Sequence, residues 1–159
     1  MVELASVRSR IGEKMEDRYL FKGKIKAENT GHEELDWAIG NLVVEQSTGR
    51  HYIVDLSYFG DDTKIQDVLI EVEPSTICQC TGLRDKNGKL IWENDIVKDK
   101  NENLYKAFWQ DNYYQFSWIC IKSNSLPVGA KWDFYSIKSF EIEVIGNVFD
   151  NPDLLEVQE

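Results

Sequence analysis

The chain has no apolar run approaching the roughly 18 residues that a membrane-spanning helix needs, and its opening Met-Val-Glu-Leu-Ala lacks the charged-then-apolar pattern of a secretory leader. The expectation is a cytoplasmic protein with no membrane contact. Cysteine is scarce. Three thiols cannot build an even disulfide framework and suit a reducing compartment. The two histidines, His32 and His51, are isolated from each other and from the cysteines. No phosphate loop, dinucleotide fingerprint or nucleophile elbow is present, so an enzyme is unmotivated and no cofactor is expected. Basic residues are short as well: 18 Lys and Arg against 28 Asp and Glu, a net charge of −10. The imbalance is uneven. Residues 1–26 hold seven bases and four acids, and the remainder holds eleven bases and 24 acids. An acidic body lacks the positive stripe that a nucleic-acid groove requires. The scattered acids suit solubility better than mimicry of DNA charge.

What the sequence does hold is short strand-forming stretches between turns. Tyr19-Leu20-Phe21 opens a first strand. Trp37 to Glu45 has strand composition, broken at Gly40-Asn41, and a glycine inside a strand marks a bulge or a close backbone approach. His51 to Phe59 alternates: Tyr52, Val54, Leu56 and Tyr58 share one face, leaving His51, Ile53, Asp55 and Ser57 as a mixed outer face. Residues 65–72 fit either a helical turn or a strand. Pro74-Ser75 then breaks the chain, which suggests a β-rich subdomain over 1–74 and a second domain over 75–159. After it come a short strand at Thr76–Cys80, a hairpin of Leu104–Trp109 with Tyr113–Ile121 across Asp111-Asn112, a loop over 122–131 and a final strand within 137–149. Asn151-Pro152-Asp153 opens a short helix. Val7, Ile11 and Met15 recur every four residues, so Glu3–Arg18 is expected as a short N-terminal helix or arm. Strands this short and this closely spaced indicate a mainly β protein.

The stretch from Thr81 to Lys98 is the most legible. Asn87-Gly88, between two lysines, favours the positive-φ positions of a two-residue type I′ hairpin turn. Leu90-Ile91-Trp92 follows as a strand, Asn94 marks a second bend, and Ile96-Val97 begin another strand. The run TGLRDKNGKLIWENDIV resembles the signature of the YopX family of bacteriophage and prophage proteins. Phe21-Lys22-Gly23-Lys24 with Trp37-Ala38-Ile39-Gly40-Asn41-Leu42, and Val144-Ile145-Gly146-Asn147-Val148-Phe149-Asp150-Asn151-Pro152, resemble two further blocks of that family, in the same order. Departures are Cys80 for an aromatic, Trp92 for Tyr or Phe, and Asn94 for Gly. The resemblance implies an SH3-like barrel, expected here over 75–150, and brings no catalytic residue with it. It also implies a bacterial host cell.

Other groupings of reactive residues have bland explanations. Cys78 and Cys80 share a strand face, but a zinc site would need two more ligands, and Cys120, His32 and His51 are dispersed. His51 and Asp55 lie at a same-face spacing. Asp61, Asp62, Asp67 and Asp95 lack a nuclease pattern, and the first two suit a turn. The aromatics Trp109, Tyr113, Tyr114, Phe116 and Trp118 crowd one hairpin, with Tyr114, Phe116 and Trp118 expected on one face and Tyr113 on the other. They could fill a core or make a contact. The leading expectation is a non-enzymatic phage or prophage accessory protein acting by protein contact, as a homo-oligomer or on a phage or host protein. Its candidate surface is Lys86, Lys89, Trp109 and Tyr113. A nucleic-acid module using the basic N-terminal segment and the Lys86/Lys89 hairpin is the alternative, and a metal-dependent enzyme the third.

Overall fold

A computed structural model describes residues 17–26, 37–54, 64 and 68–156. The expected N-terminal helix lies almost wholly outside them, and only Asp17–Tyr19 is described there, as a 3-10 turn. The chain divides into two compact units, 1–80 and 81–159. Pro74 opens a 3-10 turn over Pro74–Thr76. Both units are built on antiparallel strands, so the protein is mainly β.

In the first unit, β1 (Phe21–Lys24), β2 (Trp37–Glu45), β3 (Arg50–Val54), β4 (Leu69–Glu71) and the start of β5 (Cys78–Arg84) take the order β4-β3-β2-β1-β5. The ambiguous 65–72 segment thus contributes a strand. Ala38, Ile53 and Val72 form the buried centre, flanked by Phe21, Ile25, Leu42, Ile70 and Ile77. Ile53 belongs to this core and not to an outer face. Its register partners explain why: Leu42 and Ile70 stand on either side of it, so the side shared with Ala38 is the buried one. Gly40 sits in regular register opposite Phe21. A close approach is found at Gly23, where an added Cβ would lie 3.0 Å from Val72.

The second unit contains the rest of β5, its neighbour β6 (Leu90–Trp92), and a five-stranded sheet. That sheet holds β7 (Asp95–Lys98), β8 (Leu104–Gln110), β9 (Gln115–Lys122), β10 (Lys131–Asp133) and β11 (Glu143–Asn147), in the order β10-β9-β8-β7-β11. β10 begins at Lys131, the last residue of the stretch read as a loop. Among the described residues β10 and β11 do not pair, so this sheet is open and not a closed barrel. Ile91, Val97, Tyr105, Ala107, Trp118, Cys120, Ile142 and Val144 make its core.

Local chemistry sets the turns. β5 continues through Thr81 to Arg84, with Gly82 at φ 77° absorbing the bend. Of Asn87-Gly88 only Gly88 takes positive φ. Its N–H donates to the Asp85 carbonyl at 3.0 Å, while Asp85 N–H reaches the Lys89 carbonyl at 2.9 Å. The turn is therefore a three-residue loop with a left-handed glycine, and the expected type I′ pair is corrected. The Asp85 side chain explains the preference: its Oδ1 accepts the N–H groups of Asn87 and Lys89 at 2.8 and 2.9 Å. Asp99 repeats the device. Its Oδ1 accepts Asn101 and Asn103 N–H at 2.8 and 2.9 Å, and Glu102 takes the left-handed position at φ 62°. Asn94, at φ 65°, makes the expected second bend, and buried Asp95 clamps it by accepting Trp92 N–H at 2.9 Å.

Candidate interaction surface

An aromatic row closes one end of the five-stranded sheet. Trp109 near the end of β8 faces Phe116 at the start of β9, with ring centroids 5.1 Å apart and edge to face. Phe134, just past β10, stacks on Phe116 at 6.1 Å and lies 4.4 Å from fully buried Trp118. The row is thus the outer end of the core, and Trp109 is its half-open rim. Beyond it the chain turns through Asp111–Tyr113, and Tyr114 adopts φ 52°. This turn removes both tyrosines from the strand, so the expected alternation of Tyr113 and Tyr114 across β9 does not occur. Their exposures are 68% and 83%. Tyr135 follows Phe134 and is 89% exposed. The pairing of Asp133 with Ser117 places it at the same end. The sequence reading missed Tyr135, because an aromatic in an unassigned loop carries no periodicity to show which way it points.

Lys86 and Lys89 lie elsewhere. Lys86 Nζ binds Glu143 Oε2 at 2.6 Å, and its N–H donates to the Ile142 carbonyl. The hydrogen bond and charge of Lys86 hold the Glu143 carboxyl below its usual range. Glu143 pairs with Lys98, which pairs with Leu104. Trp109 lies five residues further along β8, about 17 Å at strand rise. The register therefore separates the hairpin lysines from the aromatic end. The positive excess of residues 1–26 also resolves. Residues 1–18 hold four bases and four acids, so it rests on Lys22, Lys24 and Lys26. Lys22 and Lys24 stand over the Trp37 ring at 4.9 and 5.6 Å, and Lys26 binds Glu71 at 2.7 Å.

The other candidates serve the fold. Cys78, Cys80 and Cys120 are buried, Cys78 donating to the Thr76 carbonyl at 3.3 Å. Burial pushes the Cys120 thiol up. His51 Nδ1 lies 3.0 Å from the Gly49 carbonyl, within its own turn. Among the described residues no three of His, Cys, Asp or Glu gather as metal ligands. His32, Asp55, Asp61, Asp62 and Asp67 fall outside those residues. A cleft of about 300 Å³ lies beside Asp99, Asn103, Tyr105, Ser125 and Glu141. Three of these groups bind one another: Asp99 Oδ2 accepts Asn103 Nδ2–H at 2.8 Å and the Tyr105 hydroxyl at 3.1 Å. Burial and the Asp99 carboxylate together push the Tyr105 phenol up to about 12.

Residues 7–156 match the sequence model described as YopX protein. The chain belongs to the YopX family. That family is found in phage and prophage proteins. The YopX-family chain is also similar to a solved structure, the crystal structure of protein EF1440 from Enterococcus faecalis. The identity is 20% and the TM-score 0.45, with 86% of this chain and 96% of that one covered. No curated protein matches the chain. Among the described residues no helix is long and apolar enough to cross a membrane.

Proposed function

We propose that the chain is a non-enzymatic phage or prophage accessory protein of the bacterial cytoplasm, acting through protein–protein contact, beginning with contact between its own copies. The observation that supports this is the aromatic end of the second unit, where Tyr113, Tyr114 and Tyr135 stand open beside the rim residue Trp109. Tyrosine and tryptophan are the residue types that anchor protein interfaces, because each offers a large rigid apolar body with one polar atom. The neighbouring charges include Asp111 and Asp133, which suits a protein partner better than a phosphate backbone. The nucleic-acid alternative finds less support, since Lys22, Lys24, Lys26 and Lys86, four of the bases it would use, are engaged with Trp37, Glu71 and Glu143.

The test is the variant Tyr113→Ser/Tyr114→Ser/Tyr135→Ser. All three side chains are exposed, so its urea midpoint is expected to match the parent. Its self-association constant is expected to weaken by about tenfold or more, as truncation of interface anchors does. Unchanged association would remove the aromatic end from the contact.

A further inference from the structure

β10 is an edge strand. β9 lies on one side, and among the described residues no strand lies on the other. Cys120 N–H donates to the Ala130 carbonyl, so by antiparallel alternation residues 130 and 132 turn their backbone groups toward β9. Residues 131 and 133 turn theirs outward. The Trp132 ring packs edge to face on Tyr105 at 5.8 Å. Lys131 and Asp133 share the opposite face of the strand, and both are exposed. An open row of backbone donors and acceptors is a template for another strand.

The opposite edge of the sheet is covered. On β11, Val144 N–H donates to Asp85 Oδ2 at 3.0 Å, the Ile142 carbonyl just before it accepts Lys86 N–H, and Glu143 binds Lys86. β10 is less covered among the described residues: the Asp133 carbonyl accepts Ser136 N–H at 3.2 Å and keeps its second lone pair for another donor, and the charges of the strand are of both signs, so they do not repel a second copy.

We propose that β10 is a two-fold contact at which it pairs antiparallel with β10 of a second copy, centred on Trp132. The proposal rests on the reading that copies of this chain contact one another. Lys-Trp-Asp is its own complement under that symmetry. Each Lys131 meets the other copy's Asp133, and the outward N–H and C=O groups of the two residues exchange hydrogen bonds. The charges are already positioned. Lys131 Nζ stands 5.3 Å from the centre of the Phe108 ring, and Asp133 Oδ1 accepts the N–H and hydroxyl of Ser136 at 2.7 Å. Val128, 59% exposed before the strand, and Tyr135, 89% exposed after it, supply apolar area at both ends of the same axis.

The test is sedimentation equilibrium of the full chain in four forms. Lys131→Asp sets acids against acids and Asp133→Lys sets lysines against lysines, and each is expected to weaken association by about tenfold or more. The double exchange Lys131→Asp/Asp133→Lys restores the complement and is expected to restore association. An equimolar mixture of the two single variants is expected to form heterodimers where neither associates alone. Two results overturn the contact, and they are distinguishable. If the single variants associate as tightly as the parent, copies meet elsewhere and only the β10 pairing falls. If the parent is monomeric at every concentration, the pairing and the self-contact reading fall together.

Discussion

At the residue scale, two turns with the same Asp-Lys-Asn opening permit a matched comparison. The fourth position of each is left-handed, glycine in one and glutamate in the other. Gly88→Ala is expected to lower unfolding stability by about 1 kcal/mol, the cost of a Cβ in that conformation. Glu102→Gly is expected to raise it by about 0.5 kcal/mol, since relief of strain exceeds the entropy that glycine adds to the unfolded chain. The Lys98–Glu102 ion pair that it loses is exposed and contributes little. Urea denaturation of both variants checks the opposite signs. Tyr105 supplies a second test. Its folded pKa is raised to about 12 from 10.0, so the neutral phenol is the native form. Its contribution to stability is complete below pH 10 and is lost as pH rises through about 12. Absorbance titration should show a late phenolate component that Tyr105→Phe removes. The left-handed residues at 88 and 94 were legible from residue type. Glu102 was not, because its conformation is imposed by the Asp99 side chain.

At the element scale, the last strand and the Asp85 hairpin depend on two close fits. At Gly146 an added Cβ would collide with Asn151 Oδ1, which accepts Asn147 N–H at 3.2 Å. The register also shifts between Val144 and Gly146. Gly146→Ala is expected to cost about 2 kcal/mol, and Gly146→Ala/Asn151→Ala less than the sum of the two single changes, because one contact underlies both. Asp85→Ala leaves the N–H groups of Asn87, Lys89 and buried Val144 without their acceptor and is expected to cost about 3 kcal/mol. Burial would raise the Asp85 carboxyl, but the three N–H groups and the Lys89 charge outweigh it and hold it below 3.8. Its stabilisation is therefore present above pH 3.8 and is lost as pH falls through the lower folded value, a slope that Asp85→Ala should lack. The β8–β9 hairpin was legible in sequence. β10 was not. Three residues between loops give no alternation to detect, and its pairing to β9 comes from the sheet and not from local propensity.

At the scale of the whole molecule, the acidic composition and dispersed reactive residues directed attention to surface contact, and the second unit supplies a place for it. The open tyrosines lie in the β8–β9 turn and just past β10, at the end of the sheet whose edge strand is β10, and the proposed self-contact uses both. Of the two hairpin lysines chosen from sequence, Lys86 fastens the hairpin to β11 through Glu143 and the Ile142 carbonyl, and the backbone of Lys89 closes the turn itself. Neither the covering of one edge nor the openness of the other could be read before strand order was known. The most direct measurement is sedimentation velocity of the unmodified chain across micromolar concentrations. A sedimentation coefficient that rises with concentration from monomer toward dimer is the expected result. A compact monomer throughout would contradict the account.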